Sequence, residues 1–218
     1  MAMRMSEPAA WAEETEARLL SAMLFHAPRQ GWTRLAVAAA ARDIGLTVAE
    51  AELLAPNGPR DLAGLMARHH DALALETLSP IDPLTLKIRE RIRVGVLARC
   101  DRAIEDEPAT RRWMGFLAMP QNVALALRLT WASADAIWRW AGDVATDENH
   151  YSKRALLGGI LISTLAIRLA SGEADAATHL DGRIGAVMAF ERWKAGIKPS
   201  DIVSRLAGHV GRLRYGGV

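Results

Sequence analysis

Residues 33–56 read TRLAVAAAARDIGLTVAEAELLAP. Thr33 precedes an alanine-rich run with no strand-type alternation, and the spacing predicts a helix that stops at Gly45. Thr47-Val48-Ala49-Glu50 has the form of a capping box. Thr47 stands at the N-cap and Glu50 three residues on, so each side chain can close one orphan N–H of the other. A short helix over Thr47–Leu54 follows, ended by the turn Pro56-Asn57-Gly58-Pro59. Two short helices joined by a tight glycine turn, with a helix before them, make a helix-turn-helix pattern.

The same punctuation continues outward. Pro8 opens a first helix that ends near Pro28, and a fourth, after the Pro56–Pro59 turn, runs to about Thr77. Asp82-Pro83 is expected to cap and open a long helix to about Ile104, and Pro108 and Pro120 to open the next two. Helices over Asp147–Ala170 and Asp175–Ala195 follow, and Pro199 opens a last one. The expected fold is all-α, a bundle of about ten helices. A helix-turn-helix-like unit spans 1–56, a larger ligand-binding bundle 57–196 and an amphipathic helix 197–218.

Half of the 218 residues are hydrophobic and 24% are charged, which is the balance of a globular chain and excludes disorder. The net charge of +2 gives little electrostatic reason for a nucleic-acid partner. The single cysteine, Cys100, falls among apolar helix positions and excludes a disulfide framework or a cysteine zinc site within the chain. The N-terminus lacks a long apolar signal segment, and the apolar run Ala155–Ile167 is shorter than the roughly 20 residues that a bilayer needs. A soluble, cytoplasmic protein is expected.

The helix order resembles TetR-type repressors, but the chemistry of the would-be recognition helix opposes DNA binding. Thr47–Leu54 carries Glu50 and Glu52 and no Lys or Arg, and acids repel phosphates. A transcriptional regulator with an apolar effector is the alternative function. Catalytic signatures are missing: no G-x-S-x-G, Walker loop or G-x-G-x-x-G occurs, and no E-x-x-H pair of the kind that di-iron bundles use. No catalytic residue, metal or cofactor is expected. The adjacent His69 and His70 read most simply as surface residues.

Three features suggest binding. Asp147, His150, Tyr151 and Arg154 are spaced i, i+3, i+4, i+7, which puts an acid, an imidazole, a phenol and a guanidinium on one helical stripe. Trp131 and Trp138 share a stripe with Leu127 and Ala134, opposite an apolar run that includes Leu156, Leu157, Ile160 and Leu161 beside Gly158 and Gly159. Large rings facing small residues make either a tight core or an elongated apolar cavity. In the last segment Ile202, Val203, Leu206, Val210 and Leu213 fall within roughly a 100° arc, with Arg205 and Arg212 on one edge and Arg214 on the other. That is the geometry of a helix lying in a membrane interface.

Trp138–Ala155, WRWAGDVATDENHYSKRA, resembles the central motif of the ninth Coq protein family, lipid-binding accessory factors of ubiquinone biosynthesis. Met119-Pro120-Gln121-Asn122 and Gly31-Trp32-Thr33 resemble two further family motifs. The resemblance implies a TetR-like fold that has lost DNA binding, and a homodimer with an apolar pocket for an isoprenoid quinone precursor or a phospholipid. It implies docking to the di-iron demethoxyubiquinone hydroxylase, and residence on the inner membrane face. Carried over by position, Asp147, Asn149, His150 and Tyr151 form the partner-binding surface, with His150 where the family often has tryptophan. Arg154 would hold a phospholipid head group, with Trp131, Trp138, Leu127, Leu157 and Leu161 around the lipid.

Overall fold

The computed structural model describes residues 7–143 and 148–196, and side chains over 10–143 and 150–189. Nine α-helices and two 3-10 turns make up the described part, which contains no strand. The helices are α1 Glu7–Gln30, α2 Arg34–Asp43, α3 Val48–Leu54, α4 Pro59–Leu78, α5 Ile88–Glu105, α6 Glu107–Leu117, α7 Val123–Trp140, α8 Glu148–Ser171 and α9 Glu173–Gly196. The final helix expected over 197–218, with Ile202, Val203, Arg205, Leu206, Val210, Arg212 and Leu213, lies outside the described residues.

Local chemistry explains most boundaries. Thr33 Oγ1 accepts from the Ala36 N–H at 3.2 Å and starts α2. The capping box of α3 is complete: Glu50 N–H donates to Thr47 Oγ1 at 3.3 Å, and Thr47 N–H donates to Glu50 Oε2 at 2.8 Å. Gly45 turns the chain between α2 and α3 at φ 76°, a conformation that costs glycine nothing. Two expectations need correction. Pro83 and Pro120 each open a short 3-10 turn, and the α-helices begin later, at Ile88 and Val123. Asp82 is satisfied within its own turn, accepting from Leu84 N–H at 2.9 Å. The start of α5 is instead marked by Glu90, which reaches back to accept from Lys87 N–H at 2.9 Å.

Two apolar clusters fill the bundle. In the first, Leu19 and Met23 of α1, Ala36 and Ala40 of α2, Met66 of α4, and Trp113 and Phe116 of α6 meet Leu125 and Leu129 of α7. Its indoles are also tied by hydrogen bonds: Trp32 Nε1 donates to Ala109 O at 3.2 Å, and Trp113 Nε1 to Ala63 O at 3.1 Å. The second cluster joins Ile92 and Val96 of α5, Ala134 and Ile137 of α7, Leu157 and Leu161 of α8, and Leu180 and Ile184 of α9. The two halves of α7 therefore serve different cores. Cys100 is 1% exposed within the second.

Two glycines set the helix spacing there. A Cβ on Gly95 would stand 2.7 Å from Ile137 Cγ2, and one on Gly158 would stand 2.8 Å from Thr130 Cγ2. Only a missing side chain lets α5 and α8 approach α7 this closely. The segment 150–171 of α8 is long and apolar enough to cross a bilayer by length and composition, which the shorter run at Ala155–Ile167 did not indicate. One face of it is committed to the second core through Leu157, Ile160, Leu161 and Leu165.

His70 corrects another expectation. Only His69 is at the surface; His70 is fully buried, with Nε2 3.0 Å from Asp106 Oδ2 and Nδ1 without a partner among the described residues. Adjacent helix positions are about 100° apart, so one imidazole points out and its neighbour inward.

Candidate functional site

The end of α7 and the start of α8 bring together two aspartates and two cations. Arg154 is 2% exposed, and its Nε donates to Asp135 Oδ1 at 2.5 Å. Its Nη1 donates to Asp143 Oδ2 at 3.1 Å and to the His150 carbonyl at 3.2 Å. Lys153 Nζ donates to Asp143 Oδ1 at 2.7 Å and lies 5.3 Å from the centroid of the Trp138 ring. Trp138 Nε1 in turn donates to Lys153 O at 3.1 Å. Burial pushes the Asp143 carboxyl up, but the hydrogen bonds and charges of Lys153 and Arg154 outweigh it and hold the group below its ordinary value.

The four-residue stripe read from spacing is not one exposed face. Asp147 and the side chain of Asn149 lie outside the described residues. Tyr151 is 65% exposed, His150 is half-buried, and Arg154 points inward. The described members of the stripe, His150, Tyr151 and Arg154, run along the rim of the α7–α8 contact, so one edge is solvent and the other is core. The guanidinium that the resemblance assigns to a phospholipid head group is here closed over by two carboxylates and a carbonyl.

A cavity of about 250 Å³ opens beside this cluster. Its walls are Ile88 and Ile92 from α5, Trp138 from α7, Leu156, Leu157 and Ile160 from α8, and Ile184, Val187 and Met188 from α9. The polar part of the lining comes from Arg89, Ser152 and Lys153. Of the side chains expected around a lipid, Trp138 and Leu157 line this cavity. Leu161 is core, 6% exposed. Leu127 is 66% exposed on the outer side of α7, and Trp131 stacks outward with His150 and Tyr151, at ring-centroid distances of 6.4 and 5.8 Å. The His150 and Tyr151 rings are 5.2 Å apart. The structure thus splits the tryptophan stripe: Trp138 faces the cavity and Trp131 joins an aromatic surface.

The reason lies in how α7 packs. Its buried positions Leu125, Leu129, Ser133 and Ile137 step by four residues. Leu127 is about 200° from Leu125 and faces away. Sequence reasoning missed Asp135, Lys153 and Arg89. The acid of Asp135 meets Arg154 across two helices, a pairing that no spacing within one helix could reveal. Asp143 stood in the acid-bearing loop of the quoted motif and could have been singled out. Among the described residues no group of three His, Cys, Asp or Glu side chains converges as a metal site.

The described residues thus form an all-α bundle with an apolar cavity, a buried ion-pair knot and an aromatic rim. Residues 123–191 match the family model described as COQ9. The chain is 29% identical over 185 residues to the rat mitochondrial ubiquinone biosynthesis protein COQ9, covering 81% of this chain and 59% of that one. It is 28% identical to the human protein of the same name, over 75% of this chain and 53% of the relative. The fruit-fly protein is 26% identical, over 68% and 46%. The chain therefore spans about half the length of the curated relatives it matches. Together the matches show that this chain is similar to COQ9 proteins over most of its own length. The matched segment holds α7, α8 and most of α9, where the ion-pair knot, the aromatic rim and three of the four cavity walls lie.

Proposed function

We propose that this protein is a non-catalytic lipid-binding accessory protein of ubiquinone biosynthesis. It takes an isoprenoid quinone precursor or a phospholipid from a membrane surface and presents it to the demethoxyubiquinone hydroxylase. The observation that carries the reading is the apolar cavity under Trp138, Leu157 and Ile160, in the segment that matches the family model. The names of the relatives, ubiquinone biosynthesis proteins, support the pathway.

The cavity is slightly smaller than the ~300–1,000 Å³ usual for small-molecule sites. It suits a head group or the first part of a tail, with the remainder of a long chain leaving through the mouth. Arg89 and Lys153 stand at the polar part of the lining, so they, not the enclosed Arg154, are the cations offered to a polar head. The exposed Tyr151 with Trp131 and His150 is the surface offered to the hydroxylase. The protein works as a homodimer, peripheral on the cytoplasmic face of the inner membrane, with the segment 197–218 against the bilayer. Glu50 and Glu52 on α3 weigh against the DNA-binding regulator.

Mass spectrometry of lipids extracted from the purified protein tests the reading. A quinone, isoprenoid or phospholipid is expected at near-stoichiometric amount, and Leu156→Asp, at a half-open cavity wall, should empty it. A lipid-free wild-type protein would overturn the carrier role.

A further inference from the structure

A second pocket, of about 420 Å³, lies away from the lipid cavity, between α1, the α3–α4 turn, α4 and α7. Its lining is mainly polar side chains, and three of them are arginines from two helices: Arg60 and Arg68 of α4 and Arg128 of α7. Arg60 is pinned, its Nη2 donating to the Gln121 carbonyl at 2.6 Å. The side chains of Arg68 and Arg128, both exposed, form no hydrogen bond or ion pair among the described residues. Arg68 folds back along its own helix: its Nη1 stands 3.6 Å from where a Cβ of Gly64 would be, beside Leu129, so the bare backbone at Gly64 forms the floor under the guanidinium.

Two acids share the pocket, and neither forms an ion pair with the arginines among the described residues. Asp61 is occupied by Asn57, whose backbone N–H donates to it at 2.7 Å and whose Nδ2 donates at 3.1 Å. Glu16 lies on the α1 wall, with no ion pair to any of the three arginines. Three arginines against two acids leave the lining with one positive charge in excess, and the first turn of α4, which carries Asp61, stands at the same rim. An anion entering the pocket would meet donors from both helices. Guanidinium forks from two helices suit a tetrahedral phosphoryl group, which offers several acceptor oxygens in different directions, better than a planar carboxylate.

We propose that Arg60, Arg68 and Arg128 bind the phosphoryl group of a phosphate ester. The site is separate from the lipid cavity. Arg128 and Trp138 are ten residues apart on α7, about 15 Å along the helix axis. The size of the pocket leaves room for a glyceryl substituent on the phosphate. The ester is either a soluble metabolite or the head group of a phospholipid, and the two share the chemistry that the arginines read.

Isothermal titration of the full chain with sn-glycerol 3-phosphate at low ionic strength tests the site. Saturable binding is expected. Arg68→Gln with Arg128→Gln should weaken it by about tenfold or more, as loss of charge-assisted bonds does. Arg29→Gln with Arg183→Gln, which removes the same charge at exposed positions elsewhere, should leave it unchanged. Competition between glycerol 3-phosphate and phosphatidylglycerol vesicles would assign the head-group source, and binding without competition the soluble ester. No saturable binding, or equal loss in the control variant, would overturn the proposal. Tighter retention of duplex DNA by the same arginines would overturn it in favour of a nucleic-acid contact.

Discussion

Replacing Arg154 separates two roles for this side chain. Its guanidinium is 2% exposed, and the Asp143 and Asp135 side chains are 7% and 19% exposed. Arg154→Leu would leave Asp135 with only the exposed Arg139, and Asp143 with only Lys153. Removing one partner of a buried ion pair costs about 3–5 kcal/mol, because the other charge stays buried. For a chain of this size that corresponds to a fall in Tm of roughly 6–20 °C. Arg154→Lys keeps the charge but gives up the fork that spans two carboxylates, so it should lose less. Thermal and urea denaturation measure both. The pH dependence adds a signature. Because the Asp143 carboxyl is held low in the folded state, its contribution is present above the unfolded value of about 3.9 and lost as pH falls through the lower folded value. The stability gap between wild type and Arg154→Leu should therefore shrink in acid. A variant as stable as wild type that had lost bound phospholipid would refute the structural role and restore the head-group assignment.

Gly158→Ala should destabilise by about 1–3 kcal/mol through the clash with Thr130 Cγ2, and Thr130→Ser, which removes that methyl, should recover much of it in urea titrations. Tyr151→Ala removes a ring that is 65% exposed and should change stability by no more than about 0.5 kcal/mol. The same variant should weaken co-purification with the hydroxylase, and a large loss of stability would mean that the ring holds the α7–α8 corner together. Burial pushes the His70 imidazole below its ordinary value, against the raising pull of Asp106. Its contribution is therefore full above the unfolded value of about 6.5 and lost as pH falls. His70→Met should flatten the stability-against-pH curve between about pH 5 and 7.

Local chemistry was the most legible part of this chain. The Thr33 cap and the Thr47–Glu50 box fall where their residue types predict, because each is satisfied within four residues. The prolines misled for the same local reason. Asp82 and Pro83 complete a turn by themselves, and the signal for α5 was the less familiar Lys87–Glu90 pair. What spacing along one helix cannot carry is which neighbour each turn meets. Leu127, Trp131 and Trp138 lie on one stripe, yet only Trp138 lies under α8 and α9 at the cavity. The inward turn of His70 and the Asp135–Arg154 pair depend on helices distant in sequence. The family resemblance drew attention to Arg154, and the structure adds what no motif within one helix could carry, the pairing of that guanidinium with Asp135 and Asp143.

The division of α7 between two cores has a consequence for how the molecule comes apart. Leu125 and Leu129 anchor it among α1, α4 and α6, while Ala134 and Ile137 anchor it among α5, α8 and α9. Neither half of the bundle can open without stripping one end of a helix that the other half still holds. Amide protons in the middle of α7, around Thr130 to Ala134, should then exchange with solvent only when the whole chain unfolds. The outer turns of α3, which buries no residue, should exchange far earlier.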